Sequence, residues 1–482
     1  AAHVRGLVRD GTLRPGDRVP SLRGICRRLG VSMATATRAY EGLERAGLIE
    51  ARPQSGFYVR GTDAPADAPR RGEPPDRPGR VATDVLLDAL VPGTAGEGAA
   101  EGITLSLALP DPALLPVRGL QRAVGRVLRE RPDAATGYAF PPGVHELRRR
   151  IAYRCGEAGA AVHPDEVLVT SGCAEALAIA LQCVAAPGDV IAVESPTFFN
   201  ILALIERLGM RALELPTDPG EGLDPDRLEA ALQRGGVRAL LLVPSFNNPL
   251  GSCMPDRRRA RVVALAARHG VPLIEDDIYG ELHFGDARPA LMRAFDEAGW
   301  VLTASSFSKT LAPGYRVGWL LAGPWQERAT GLKHAASMAT ATLPQLAIAD
   351  FLRNGAHDRH LRRLRRQYHR QTGAMRAAIM RHFPPGTRVT DPAGGFLLWV
   401  QLPAGADALD VYHAARAEGI QVAPGHLFST TDTYTGYLRL SCGSPWDERR
   451  EAAVRRLGEL VATSATTGET SRTEARAPCT RR

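Results

Sequence analysis

The sequence predicts two unlike domains in one chain: a small winged helix-turn-helix module, then a large α/β domain built on a mostly parallel sheet. Three observations predict it. Within the first 60 residues, apolar side chains recur at helical spacing on both sides of a Gly30-Val31-Ser32 turn. From about residue 101 to 460, short apolar runs alternate with amphipathic stretches. Between the two lies a Pro-, Arg- and acid-rich interval that cannot bury a core.

Residues 1–60 read as helix, helix, turn, helix and a short hairpin. The first helix is short at its N-terminus, as though the chain began inside it. Leu22, Ile25 and Leu29 follow a Pro20-Ser21 start, Ser32 is an N-cap, and Ala36, Ala39, Tyr40 and Leu43 continue the next helix. Leu48-Ile49-Glu50 and Phe57-Tyr58-Val59 bracket Arg52-Pro53-Gln54-Ser55-Gly56 as a two-stranded wing would. Residues 61–100 read as a flexible linker: 61–80 hold five Pro, four acids and four Arg, and 81–100 add one short helix around Asp84 to Leu90 and a Gly-rich stretch. In the α/β domain, 101–460, the expected strands are Glu166–Thr170, Asp189–Val193, Val237–Val243, Val271–Ile274 and Val301–Ala304, with Asp256–His269 an amphipathic helix. The tail, 461–482, is rich in Thr, Ser and Arg without periodicity and reads as disordered.

Composition narrows the classes. Of 482 residues 44% are hydrophobic and 23% charged, which excludes disorder of the whole chain, and no apolar run approaches the roughly 18 residues of a membrane helix. Ala1 to Asp10 show no apolar h-region ahead of a small-residue cleavage site, and seven cysteines without a CxxC pair make the cytoplasm, with reduced thiols, the expected compartment and suggest no metal site. Net charge is +8, and residues 1–60 hold eleven Arg against five acids. Basic charge concentrated in a helix-turn-helix module is an electrostatic footprint for nucleic acid.

Only Lys309 and Lys333 are lysines; the other 58 basic residues are arginine. Lys309 follows a predicted strand, in Ser305-Ser306-Phe307-Ser308-Lys309-Thr310-Leu311-Ala312-Pro313-Gly314-Tyr315-Arg316. Schiff-base chemistry needs a primary amine that can lose its proton, which arginine cannot supply. Lys333, beside His334, Ala335 and Ser337, reads as an ordinary surface lysine on a helix face.

The neighbouring motifs are those that bound pyridoxal phosphate (PLP) requires. Its phosphate needs backbone donors at a helix start, hydroxyls and an arginine. Thr170-Ser171-Gly172-Cys173-Ala174-Glu175 is such a start, and Ser306, Ser308 and Arg316 bracket the lysine. The ring nitrogen needs a carboxylate to stay protonated, and Asp276 in Ile274-Glu275-Asp276-Asp277-Ile278-Tyr279 is the candidate. Tyr279 and Asn248, the latter in Asn247-Asn248-Pro249-Leu250-Gly251, suit the ring hydroxyl, and Phe198 in Glu194-Ser195-Pro196-Thr197-Phe198 suits the ring face.

In the order and placement of these motifs, residues 103–445 resemble the fold type I, class I and II aminotransferases. Residues 12–60 resemble the winged helix of GntR-type regulators, in Pro15-Gly16-Asp17-Arg18-Val19-Pro20-Ser21-Leu22-Arg23 and Ala39-Tyr40-Glu41-Gly42-Leu43-Glu44. Together they resemble the MocR family of bacterial transcription regulators. The resemblance implies a PLP-dependent transferase fold with a smaller C-terminal subdomain. It implies that Lys309 carries the cofactor, Asp276 faces the pyridine nitrogen, Tyr279 and Asn248 hold the ring hydroxyl, and Phe198 stacks on the ring. Gly172, Cys173, Ala174, Ser306, Ser308 and Arg316 then hold the phosphate. Tyr138, in Gly137-Tyr138-Ala139-Phe140, matches a tyrosine that reaches the phosphate of the neighbouring subunit, implying a homodimer. Arg439, in Leu438-Arg439-Leu440-Ser441, matches the arginine that clamps a substrate α-carboxylate. Ala174 stands where Gln is common and Leu250 where Thr is usual, which weakens the case for turnover more than for cofactor binding.

In the N-terminal module the recognition helix is Ser32 to Ala46, with Thr35, Thr37 and Arg38 near its N-terminal half and Arg23 on the preceding helix facing double-stranded operator DNA. Met33 stands where many relatives carry Arg. The resulting expectation is a cytoplasmic, dimeric, PLP-binding transcription regulator that senses PLP or an amino compound through an aldimine. The alternative is a working aminotransferase of an α-amino acid in which the winged helix is secondary. A PLP-free scaffold is hard to reconcile with Lys309 in so lysine-poor a chain.

Overall fold

The computed structural model describes Val4, Leu7, Leu13 and residues 17–45, 48–52, 56–59, 68–79, 102–353 and 355–476. These divide into two compact units, residues 1–66 and 67–482.

In the first unit, helix Leu22–Leu29 starts at Ser21, whose hydroxyl accepts from the Gly24 N–H at 3.1 Å, and stops at Gly30 in the left-handed conformation. Helix Met33–Arg45 starts at Ser32, whose Oγ accepts from the Thr35 N–H at 3.2 Å. Val19, Ile25, Ala36, Tyr40, Leu43, Ile49 and Val59 close one small core. The wing pairs Ile49–Arg52 with Gly56–Val59 antiparallel. Residues 17–19 add a third, unforeseen edge through Val19 N–H to Phe57 O and Val59 N–H to Asp17 O, both 2.8 Å. Most of the expected first helix lies outside the described residues.

The second unit is organised by an eight-stranded sheet in the order Val167–Thr170, Gly318–Leu321, Val301–Ser306, Leu273–Asp276, Val237–Leu242, Val190–Ser195, Arg211–Asp218 and Gly222–Leu223. The central strands pair in parallel; Gly318–Leu321 runs antiparallel to both its neighbours and Gly222–Leu223 turns back on Arg211–Asp218. Apolar clusters on the sheet include one built with helices Cys173–Val184 and Phe199–Arg207 and another with Pro225–Arg234 and Asp256–His269. Strands covered on both faces carry continuous apolar runs instead of alternation, as in the fully buried Val190–Ser195. A smaller antiparallel sheet orders Arg388–Val389, Leu397–Gln401, Tyr437–Ser441 and Ala423–Pro424. Among the described residues no helix is long and apolar enough to cross a membrane.

Two expectations change. The linker expected over 61–100 is docked where it is described: residues 68–79 run extended over the second unit, with Pro69 and Pro74 buried. The Arg70 N–H donates to Gln401 Oε1 at 2.8 Å, Tyr437 Oη to Arg70 O at 3.3 Å, and Arg388 Nη1 to Ala68 O at 3.5 Å, all on the small sheet. Arg71 pairs with Asp224, Glu73 with Arg227 and Asp76 with Arg234, and Gly79 exchanges backbone hydrogen bonds with Ala212, all on the large sheet and its helices. Proline and charge, read as linker composition, here supply buried rings and ion pairs. The disordered tail expected from residue 461 is also corrected: helix Glu448–Arg476 runs through it, anchored by buried Val454, Leu457 and Val461 and by the Asp407 N–H to Ser464 Oγ at 3.1 Å. The short helix expected near 84–90 and residues 477–482 lie outside the described residues.

Candidate cofactor and substrate site

In an open parallel sheet, sites form beyond the carboxyl ends of the strands. Four strands that run in the same direction bring the expected residues to that end: Thr170 leads into Gly172, Ser195 into Phe198, Asp276 into Tyr279, and Ser306 into Lys309. Leu242 leads a fifth loop to Asn248.

Lys309 is half-buried in a tight turn closed by the Leu311 and Ala312 N–H groups on Phe307 O, and its Nζ donates to Ala108 O at 2.6 Å. Burial, then the Arg439 guanidinium, lower its ammonium to about 8 against the opposing pull of Asp276. Asp276 is buried, and its Oδ1 takes both of its hydrogen bonds, from Cys173 Sγ at 3.3 Å and the Ile278 N–H at 3.1 Å, leaving Oδ2 for a further donor. Burial raises its carboxyl to about 6, while the Cys173 thiol bonds to and favours the anion. A cationic ring nitrogen at Oδ2 offsets that burial cost. Burial raises the Tyr279 phenol, and the Asn248 amide bonds it.

Arg439 is 1% exposed on the small sheet, opposite Trp399 and between the rings of Phe199 and Phe428, 5.7 and 5.0 Å from their centroids. Its Nη1 donates to Asn248 Oδ1 at 3.0 Å and its Nη2 to Ser106 O. Its Nε is buried with no partner among the described residues. Burial lowers the guanidinium to about 10, a desolvation cost that an anion beside it would offset.

The helix start expected to hold a phosphate lies at Gly172, which precedes helix Cys173–Val184 at φ 88°. A Cβ there would stand 2.4 Å from Arg316 Nη2, so only glycine lets this guanidinium lie across the helix start, where Nη2 donates to Ser171 O at 3.1 Å. Arg316 is itself left-handed, at φ 51°. Ser306 and Ser308 are buried beside it, the Ser308 N–H donating to Ser306 Oγ at 3.3 Å. Ala174, in the first turn of the helix, contributes its backbone. The free helix-start N–H groups, two serines, an arginine, a buried carboxylate with an open oxygen and a half-buried amine fit PLP group by group.

The other residues singled out in the sequence have these surroundings. Phe198 packs between the large and small cores, 4.7 Å from Phe199. Tyr138 is 73% exposed, stacked on Phe140 at 5.4 Å, and bonds none of the other site residues. Lys333 is not a surface lysine: it is 0% exposed, with Nζ 2.7 Å from both Glu175 Oε2 and Ser337 Oγ. Sequence reasoning missed the segment around Ser106 and Ala108, whose carbonyls hold Arg439 and Lys309. It acts through backbone, which leaves no side-chain signal. In the first unit Arg23, Thr35 and Arg38 are exposed and Thr37 half-buried. The Thr35 hydroxyl meets Ser32 Oγ at 2.8 Å, so it belongs to the helix cap as well as to the surface.

Residues 118–457 match the family model for aminotransferase class I and II, and residues 1–59 that for bacterial regulatory proteins of the gntR family. The chain is 37% identical over 466 residues to the HTH-type transcriptional regulator YdcR of Escherichia coli K12, covering 96% of this chain and 98% of that one. It is 36% identical over 455 residues to the HTH-type transcriptional regulator YjiR of the same organism, covering 94% and 96%. The crystal structure of LysN, the α-aminoadipate aminotransferase of Thermus thermophilus complexed with N-(5'-phosphopyridoxyl)-L-leucine, superposes with a TM-score of 0.71 at 33% identity, covering 76% of this chain and 93% of that one. The aminotransferase fold is a PLP-dependent one, and its second subdomain is the small sheet that carries Arg439. With the GntR module in front, the chain belongs to the class I and II aminotransferase family in its MocR-type regulator architecture.

Proposed function

We propose that the chain is a cytoplasmic, homodimeric, DNA-binding transcription regulator whose aminotransferase domain binds PLP at Lys309 and senses PLP or an amino compound that exchanges with that lysine. The observation that carries this reading is Lys309 itself. The other lysine is locked in a buried pair with Glu175, whereas Lys309 has an amine lowered to about 8, set among Asp276, Arg439 and a helix-start cradle. Bound PLP supplies an aldehyde carbon for imine exchange and a pyridinium electron sink.

The chain's residues do the rest. Gly172, Cys173, Ala174, Ser306, Ser308 and Arg316 hold the phosphate, Asp276 keeps the ring nitrogen protonated, and Asn248 with Tyr279 orients the ring hydroxyl. Phe198 covers the ring face. Arg439 offers a carboxylate the edge made by its open Nε and its Nη2, releasing the Ser106 carbonyl while Nη1 stays on Asn248. Tyr138, exposed beside Phe140, serves the site of the partner subunit, which supports the homodimer. Arg23, Thr35, Thr37 and Arg38 face operator DNA on the module that matches the gntR family.

A second reading, turnover as an α-amino acid aminotransferase, is favoured by the unpartnered Arg439 Nε. DNA binding and transamination measured on one preparation separate the two. The regulator binds a fragment of its own upstream region with an affinity that falls steeply with salt. Arg38→Ala weakens that binding without changing the visible absorbance, and turnover with amino and keto acids is slow or absent. Multiple-turnover transamination without sequence-specific DNA binding would overturn the first reading.

A further inference from the structure

Helix Ala356–His382 carries eight arginines against a single acid, Asp358. Three of the eight are matched: Arg365 donates to Glu281 O at 2.6 Å, Arg376 pairs with Asp391 at 3.6 Å, and Arg381 with Glu451 at 2.9 Å. The other five, Arg359, Arg362, Arg363, Arg366 and Arg370, are exposed. Arg362 and Arg363 are adjacent and the other steps are of three or four residues, which keeps all five within about 100° of helix circumference, on one face.

Among the described residues none of these five makes an ion pair. Arg363 reaches only Leu114 O and Arg370 only Arg366 O, while Arg359, Arg362 and Arg366 make no side-chain bond as donors. The chain is rich in arginine everywhere, so charge alone would mean little. The contrast with helix Asp256–His269 is what matters. There Arg257 and Arg258 pair with Glu221, Arg261 with Asp226 and Glu229, and Arg268 with Glu229. The same composition is neutralised on that helix and left unneutralised on this one, although like charges at these spacings oppose each other.

We infer that the exposed arginine face of helix Ala356–His382 is a second, sequence-independent contact surface for duplex DNA. The five arginines span about 16 Å of helix, against which a duplex presents roughly ten phosphate charges. A polyanion of regular spacing is the partner that this face complements, and the operator DNA proposed for the N-terminal module is one. Guanidinium groups fork onto phosphate oxygens without reading bases. The surface therefore adds affinity and salt dependence without altering which operator is chosen. The inference rests on the DNA-binding reading above.

The test uses the full chain, its upstream fragment with long flanks, an unrelated duplex of equal length, and a combined Arg359→Gln, Arg362→Gln, Arg366→Gln variant beside Arg38→Ala. Losing three phosphate contacts flattens the slope of log affinity against log salt by about 2.7 on both duplexes, so the wild-type advantage shrinks about 40-fold between about 50 and 200 mM salt. The ratio between the two duplexes stays unchanged, and visible absorbance and elution volume match wild type. If Arg38→Ala loses binding while the triple variant keeps the wild-type affinity and slope, the arginine face is not a DNA surface and the DNA reading stands. If the wild-type chain binds neither duplex, both readings fall. A changed elution volume with unchanged DNA binding would make the face a protein interface and overturn the inference.

Discussion

The amine of Lys309 offers the sharpest test of the site, because its readiness to react is set by two neighbours whose signs differ. Burial and the Arg439 guanidinium bring it from 10.5 to about 8, and Asp276 pulls the other way. At pH 7 an amine of that acidity is about 9% neutral, whereas an ordinary lysine is about 0.03% neutral, a gain of roughly 300-fold in the reactive form. Apo-protein mixed with PLP develops visible absorbance at a rate proportional to the neutral amine. The rate climbs about tenfold per pH unit up to a bend near pH 8 and levels above it. Arg439→Leu removes the repelling cation and moves the bend up by about one pH unit, and Asp276→Asn moves it down by a similar amount. Stopped-flow absorbance between pH 6 and 10, at a fixed excess of PLP in phosphate-free buffer, reads the bend directly. A rate that goes on climbing past pH 9.5, or a bend that ignores Arg439→Leu, would refute the reasoning.

Other outcomes follow from single side chains. Gly172→Ala forces φ 88° on a residue with a Cβ and pushes Arg316 aside; urea unfolding should register a loss of about 1–3 kcal/mol, and PLP affinity should drop by tenfold or more. Lys333→Met breaks the buried pair with Glu175 and should cost about 3 kcal/mol in the same assay, while borohydride still traps the pyridoxyl group at position 309. Glu194 is buried, with Oε1 unpartnered, and desolvation lifts its carboxyl to about 7. Because the folded state then holds a proton that the unfolded state has released, stability falls as pH rises from about 4.5 to about 7. Glu194→Gln should remove that fall and, at pH 8, gain on the order of 3 kcal/mol over wild type in denaturant titrations. Gly72→Val would set a Cβ 2.4 Å from Tyr434 Oη, so limited proteolysis should cut between residues 68 and 79 faster than in wild type.

Much of this was legible in the sequence for reasons that are local. The parallel strands announced themselves because both faces are buried, and helix Asp256–His269 because one face is. Lys309, Asp276 and Gly172 stood out because each sits at a strand end in a residue type that the chemistry requires. What stayed hidden depends on distant partners. Nothing in Pro69 or Pro74 says that these rings are buried, since composition alone reads as a linker until Gln401, Asp224 and Arg234 come alongside. Lys333 looked like a surface lysine because its partner, Glu175, lies 158 residues away. The tail from residue 461 lacks periodicity, yet it continues a helix already anchored by Val454 and Leu457.

The docked segment 68–79 is a strap laid across both sheets of the second unit. The anchors are split between Gln401, Tyr437 and Arg388 on the small sheet and Asp224, Arg227, Arg234 and Ala212 on the large one. Any shift of one sheet against the other strains half of these anchors, so the strap ties the posture of the small sheet, which carries Arg439, to that of the large sheet, which leads into Lys309.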